Sequence, residues 1–567
     1  MSAEQFEIDP FVQAAPRLAN RWKADRVLRH AVRRVLPADV FEKAAADLEH
    51  AAERCATELA PLAARAEANP PRHVPYDAWG RRVDRIEIDP AWTELVKLLQ
   101  GLGAVAIPYE ETYGPHGRVV QAALYQIAQA VTATALCPLA MSDGAVACLR
   151  DHDAELAARY APLLTERIGG WTSGQWMTEK EGGSDLSRSA TVATPLGDGT
   201  WSLRGTKWFT SATTADVAVA LARPVNAEPG SRGLSLFALE LRGPDGGWNG
   251  LRVRRLKDKY GTRGLPTAEL DLDGAVAVPV GGIGGGIAKV ASVLHVARMA
   301  SAQAGPGATG HLLQLARDYA RRRVVRGGLL EESPLHYGWL AEISAEYEAM
   351  VQMALRAAQL VGRQEARADD ARDDARDDRG DDRGDDRGDD TRLARVVVPL
   401  AKMSTARQGV RACSELLESF GGAGYLEDTG IPQVLRDVQV QSIWEGTTNV
   451  LALDVMRALG DPEVAAAYRD DVEKQLTLHP HLRTEAAARI IRAAARDLAS
   501  REPDPAAARE LALGMARTYQ AALLAAQAGW ALTALGDERT AIALEIFTAR
   551  PLTFPAAHEK ARLLGLE

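Results

Sequence analysis

Apolar residues recur along most of this chain at the three-to-four spacing of a helix that buries one face. In residues 16–36, Leu18, Trp22, Leu28, Val32 and Leu36 fall together, with Arg21, Arg26, Arg29 and Arg33 mostly elsewhere around the helix. A basic amphipathic helix can serve a membrane or a nucleic acid, but more often it is an ordinary helix with a solvated face. The helical pattern continues over 40–68, stops at Asn69-Pro70-Pro71 and resumes from Trp92 to about Ile168. Residues 76–92 carry turn chemistry and a short alternating piece, which predicts a ribbon or extended loop.

At Gly169 the texture changes. To about Val280, apolar and polar residues alternate in short runs such as TWSLRGTKWFT, VAVALARP and LSLFALEL, split by Gly, Asp, Asn and Pro. That is the pattern of short strands. Helical spacing returns over 288–304, 310–326, 337–366 and 393–420, and again from 464 to 535 and beyond. Blocks of helix, strand and helix without βαβ alternation predict an α+β chain of segregated domains, not a doubly wound sheet. The expected division is an N-terminal α-helical domain at 1–168, a β domain at 169–285, a C-terminal helical bundle at 286–458 and an extra helical tail at 459–567.

One segment falls outside these patterns. In residues 369–390 paired aspartates recur every fourth residue, first as DDAR and then as DDRG. The DDAR half can extend the preceding helix by a turn or two through Asp–Arg pairs. The DDRG half, with no apolar residue to bury, is expected to be a disordered loop.

Composition narrows the class. The chain has 567 residues, 46% hydrophobic and 25% charged, enough for several cores. A net charge of −9 excludes a surface built throughout for nucleic acid. Cys55, Cys137, Cys148 and Cys413 lie far apart without a CxxC pair, so neither a disulfide framework nor a zinc site is expected. The first residues, MSAEQFEIDPF, lack the apolar segment of a signal peptide, and no unbroken apolar run reaches membrane-spanning length. A cytoplasmic protein with no membrane span is the expectation.

Candidate chemistry centres on residues 442–449, SIWEGTTN. Glu445 stands between a bulky indole and a glycine, and a carboxylate drawn out of water becomes a stronger base. In isolation the same octet is better read as a Glu near a helix N-terminus capped by Thr447 or Thr448. The loop MTEKEGGSDLS at 177–187 could cradle a phosphate or be a Gly-rich hairpin. KWFTSA places Trp208, Thr210 and Ser211 near a strand end where a flat ring could lie. GGAGY at 421–425 is a helix C-cap and turn, or a second close approach to phosphate. GGIGGG at 281–286 lacks dinucleotide-motif spacing and reads as a flexible helix entry. His479 and His481 have no ligand partners, so no metal is expected.

The order of these motifs adds what none gives alone. MTEKEGGSD, KWFTS, KDKYGTRG, RVVRG at 323–327, FGGAGY, Arg436-Asp437 and WEGTTN together resemble the acyl-CoA dehydrogenase family of flavoproteins, over roughly residues 90–457. The segment NPPRHVPYDAWGRRVDRIEIDPAW, LCP at 136–138, KEGGSD, SIWEG and the tail after Ala458 are similar to its alkylation-response, AidB-like branch.

The resemblance implies a helical domain, a β-barrel and a helical bundle around FAD. It implies Met177 and Thr178 at the flavin pyrimidine edge, Ser184 on the pyrophosphate, and Phe209, Thr210 and Ser211 beside flavin N5. Arg323, Gly421 and Gly422 would hold the pyrophosphate and adenosine of a neighbouring subunit's FAD, and Thr447 and Asn449 would touch FAD after the base. Glu445 would be the catalytic base that takes the α-proton of an acyl-CoA or carrier-protein thioester while the β-hydride goes to the flavin. A homotetramer and an unnamed electron-transfer partner are implied as well.

The AidB-like branch implies an alternative, a DNA-associated protective flavoprotein with weak or vestigial dehydrogenase activity. Its tail would offer Arg483, Arg489, Arg492, Arg496 and Arg501 to a duplex, but the acids around them predict only weak, sequence-independent DNA binding. A nitroalkane-oxidising relative would carry Asp at position 445. Two residues depart from the main-branch pattern: Glu418 replaces the usual Gln, and Arg326 replaces a Phe.

Overall fold

The computed structural model describes residues 14–377, 386–501 and 504–555. The chain opens with α1 (Arg21–Ala24), α2 (Arg26–Val35), α3 (Ala38–Arg54) and α4 (Ala60–Ala68). Asp25 caps α2 by accepting from the Leu28 N–H, and the expected apolar stripe turns Leu28 and Val32 into the core. The predicted ribbon is a hairpin, β1 (Arg72–Tyr76) against β2 (Arg82–Glu87), starting earlier than the sequence pattern suggested. Asp77 closes its tip by accepting from the N–H groups of Trp79 and Arg81. Three further helices complete the region: α5 (Pro90–Gly101), α6 (Gly117–His152) and α7 (Ala154–Thr165).

Helix α6 adds to the reading of apolar segments. It contains a stretch apolar and long enough to cross a membrane, and 83% of that stretch is buried inside the protein. Burial on all sides explains its composition, as expected for a core helix.

The β region contains β3 (Ser173–Trp176), β4 (Val192–Pro195), β5 (Trp201–Ser211), β6 (Val217–Pro224), β7 (Ser235–Glu240), β8 (Leu251–Leu256) and β9 (Thr267–Pro279). Strand β6 pairs with β4, β4 with β5, β5 with β9, β9 with β7, and β7 with β6, which closes a ring. β3 adds in parallel to β6, and β8 adds to β9. The run VAVALARP is nearly continuous in apolar residues because both faces of β6 are covered.

The bundle follows with α8 (Gly286–Ala302), α9 (Ala304–Ala320), a two-residue ribbon of β10 (Val324–Val325) and β11 (Gly328–Leu329), then α10 (Pro334–Asp377), α11 (Asp386–Glu418), α12 (Ile431–Gln439) and α13 (Thr448–Leu459). The GGIGGG entry to α8 is not slack. Lys289 Nζ donates to the carbonyls of Val280, Gly281, Gly282 and Gly284 and gathers the loop around one cation.

The repeat segment is more helical than expected. The DDAR half continues α10 to Asp377, and residues 386–390 of the DDRG half already belong to α11. Asp390 reaches back to Arg367 at 2.8 Å and Arg363 at 3.7 Å, which ties the two helices together there. The remaining expectation of a disordered loop falls on 378–385, outside the described residues.

The tail is α14 (Pro462–Leu478), α15 (Glu485–Ala499), α16 (Ala508–Leu535) and α17 (Arg539–Thr548). A buried polar knot binds it to the bundle: Arg356 of α10 pairs with Asp471 of α14 at 2.8 Å and donates to the Tyr519 hydroxyl of α16 at 3.2 Å. Removing one member would leave the other charge uncompensated, so the contact strongly favours a single docking geometry.

Candidate active site

Glu445 lies in the short connection before α13, in the left-handed region at φ 55. That conformation costs a non-glycine residue about 1 kcal/mol or more unless the surroundings impose it. Here three consecutive carbonyls are held from two helices. Lys402 Nζ on α11 donates to the Trp444 oxygen at 2.6 Å and the Gly446 oxygen at 2.5 Å. Arg298 Nε on α8 donates to the Glu445 oxygen at 3.1 Å, while its other arm pairs with Asp454 of α13 at 2.9 Å. Trp444 is fixed as well, its indole N–H donating to Gln441 Oε1 at 2.9 Å, and Ser301 Oγ donates to that same oxygen.

The carboxylate meets a sparse polar environment. Gln175 Nε2 on β3 stands 3.5 Å from Glu445 Oε2. Burial pushes the carboxyl above its ordinary range, opposed by the cations of Lys402 and Arg298 and by Gln175. Burial also draws the Lys402 ammonium down to about 7, against the pull of Glu445. Thr447 does occupy the N-cap of α13, yet its side chain makes no capping bond.

Gln175 leads to the cradle expected for a flavin. Two residues on, Met177 is buried, and the Thr178 oxygen accepts from the Trp208 N–H of β5 at 2.9 Å, so the ends of β3 and β5 meet. The following loop is anchored by buried Glu179, which accepts from Lys207 Nζ, Thr191 Oγ1 and the Ala190 N–H, each at 2.6 Å. Ser184 is left exposed on that loop. Thr210 is buried and its hydroxyl donates to the Ala268 oxygen at 2.9 Å. Ser211 Oγ faces Thr267 Oγ1 at 3.2 Å. Phe209 is half exposed, with Lys257 Nζ 4.6 Å from its ring and 3.6 Å from that of Trp208.

A second group assembles elsewhere. Arg323, Gly421 and Gly422 line one cavity of about 700 Å³ with Tyr319, His336 and Trp339. Both departures noted in the sequence lie near it, Glu418 in the wall and Arg326 in the adjoining ribbon at φ 52. Residues of the β region take no part in its lining. Thr447 is exposed, and Asn449 Oδ1 accepts from Arg509 of α16 at 2.6 Å.

The comparisons with known proteins follow this anatomy. Residues 13–168 match the N-terminal domain of the adaptive response protein AidB. Residues 174–275 match the acyl-CoA dehydrogenase middle domain, and 284–376 with 381–460 match its C-terminal domain. Acyl-CoA dehydrogenase family member 11 of Caenorhabditis elegans is 39% identical over 479 residues, 82% of this chain and 75% of that protein. This chain belongs to the acyl-CoA dehydrogenase family. AidB of Escherichia coli is 31% identical over 70% of each chain. The crystal structure of C. elegans ACDH-11 with C11-CoA superposes with a TM-score of 0.91 at 35% identity, covering 98% of this chain and 96% of the other. The chain is therefore an acyl-CoA dehydrogenase-type oxidoreductase with AidB-like features, in a family of flavoproteins.

Within this family site, Gln175, Arg298 and Lys402 escaped sequence reasoning. Lys402 did leave a trace, a lone cation in the apolar run VVVPLAKMS.

Proposed function

We propose that this protein is an FAD-dependent dehydrogenase of fatty acyl thioesters with Glu445 as its base. The observation that carries the reading is the placement of Glu445: a partly exposed residue whose carboxylate is withdrawn from water, joined through Gln175 to the strand that leads to Met177 and Thr178. Desolvation strengthens the base that must remove a weakly acidic α-proton. Among the described residues the Glu445 N–H is paired with no acceptor, so it is available to a thioester oxygen as charge develops there.

The donor set suits FAD. Among the described residues Arg323 forms no ion pair and buried His336 Nε2 in the same cavity wall has no hydrogen-bond partner, which leaves a cation and a neutral ring nitrogen for phosphate and adenine. Gly421 and Gly422 have nothing within 4 Å of where a Cβ would stand, so their backbone is open to a ligand. Bound FAD would supply the acceptor for the β-hydride. Met177, Thr178, Ser184, Phe209, Thr210 and Ser211 would hold its flavin end, and Arg323, Gly421 and Gly422 its other end. Because these groups stand apart in one chain, a second copy completing each site, as in a homotetramer built from pairs, fits the arrangement. The C11-CoA bound by the C. elegans protein supports a fatty acyl-CoA as the substrate class.

Anaerobic titration of the yellow holoprotein with acyl-CoAs of increasing chain length tests the reading. The flavin absorbance should bleach with at least one of them, and Glu445→Gln should keep FAD while bleaching at least about a hundredfold more slowly. Bleaching of the variant at the wild-type rate, or none with any acyl-CoA, would overturn it.

A further inference from the structure

We infer that Lys402 is the positioning residue of the catalytic turn: by donating to the carbonyls on both sides of Glu445, it holds the left-handed conformation that presents the carboxylate. The inference rests on the reading of Glu445 as the base and adds how that base is set.

The geometry is specific. Lys402 is fully buried on α11, and its ammonium is 2.6 Å from the Trp444 oxygen and 2.5 Å from the Gly446 oxygen. The Trp444 carbonyl lies in the peptide plane just before Glu445 and the Gly446 carbonyl in the plane just after Gly446, so one donor brackets the turn in which Glu445 takes its costly positive φ. Arg298 takes the intervening carbonyl and is itself paired with Asp454. No carboxylate lies in ion-pair contact with Lys402 among the described residues, so its charge faces the Glu445 carboxylate with Arg298 as the opposing cation. An ammonium buried beside an apolar helix face is expensive to keep and would be replaced at little cost if packing were its only task.

The test compares Lys402→Met and Lys402→Gln with Glu445→Gln in the FAD-loaded protein. Anaerobic stopped-flow mixing with a fatty acyl-CoA reads the limiting bleaching rate, its pH profile and the apparent substrate Kd. Lys402→Met should lower the limiting rate about a hundredfold, the scale of a base displaced by an ångström. The Kd should hold within about twofold, and the acidic limb of the profile should move to higher pH as the carboxylate loses its neighbouring cation. Lys402→Gln, which can donate without charge, should recover part of the rate but keep the displaced limb.

A wild-type rate and profile in Lys402→Met would overturn the inference. So would failure of both Lys402 variants to hold FAD, which would make the residue structural. A wild-type rate in Glu445→Gln would instead remove the base assignment itself, a distinct outcome.

Discussion

Arg509 of the tail donates to the side-chain oxygen of Asn449 at 2.6 Å, so the last domain touches the first turn of the helix that follows Glu445. The bond turns the Asn449 amide, leaving its NH₂ as the group that can reach outward to a cofactor. An exposed contact of this kind contributes about 0.5–1 kcal/mol. We therefore expect Arg509→Ala to weaken FAD binding by about two- to fivefold without changing the limiting bleaching rate. Equilibrium dialysis and stopped-flow measurements on the same sample check both halves. An unchanged FAD affinity would mean that Asn449 needs no orientation from the tail.

Arg323 should matter more. It lines the cavity and forms no ion pair among the described residues, although Glu418 shares the wall, so a phosphate suits it as a partner. Arg323→Ala should lower FAD affinity by about tenfold or more, and, in the proposed tetramer that shares FAD across subunits, loss of FAD should loosen the assembly. FAD per chain after gel filtration, with light scattering on the eluate, tests this. Full retention of FAD in a monomer would contradict the shared arrangement.

Glu348 of α10 offers a pH signature. It is buried against the tail, and burial lifts its carboxyl to about 7, partly offset by the Thr540 hydroxyl and Arg539, with Asp25 and Asp537 adding to the rise. A folded pKa above the unfolded one means that the ionised form is disfavoured in the native state. The associated loss of stability is absent below about pH 4.5 and complete above about 7. Glu348→Gln should thus be near neutral at pH 4.5 and stabilising at pH 8 by up to about 3 kcal/mol. Thermal melts at the two pH values decide it, and equal effects at both would show that burial does not move the Glu348 carboxyl away from its unfolded-chain pKa.

The sequence was legible where one segment carried its own signal. VAVALARP reads as a strand buried on both faces, and WEG marks a carboxylate flanked by an indole and a glycine. What could not be read is what the fold brings in from far along the chain. Gln175, Arg298 and Lys402 converge on Glu445 from β3, α8 and α11, and no local pattern encodes that meeting. The DDRG repeat shows the converse error. Its composition predicts disorder, yet Asp390 finds Arg363 and Arg367 across a helix pair, and tertiary ion pairs extend α11 into it. Asn449 was placed by resemblance at FAD, and its contact with a domain absent from the main family pattern was beyond that comparison.

The tail bears on DNA, where the AidB-like branch and the charge of this chain pull apart. Sequence-independent affinity comes from neutralised phosphates, each contributing nearly one unit to the slope of log affinity against log salt. The candidate cations are largely spent. Arg492 pairs with Glu473 at 2.5 Å, Arg483 pairs with Glu538 at 2.5 Å, and Arg501 pairs with Asp497 at 2.7 Å. Arg489 and Arg496 remain exposed on α15 with no ion pair among the described residues, on a chain of net charge −9. Breaking an exposed pair to reach a phosphate exchanges one modest contact for another, so the paired arginines add little. With only two of the five candidate arginines free of ion pairs among the described residues, even an oligomer that gathers them predicts weak duplex binding at low salt that disappears near physiological ionic strength. Fluorescence anisotropy across a salt series should show a shallow slope, reduced by one to two units per site when Arg489 and Arg496 are both changed to Ala, with Arg492→Ala alone nearly silent. Tight binding at physiological salt that the double substitution abolishes would instead make DNA a partner of this tail and the protective reading the stronger one.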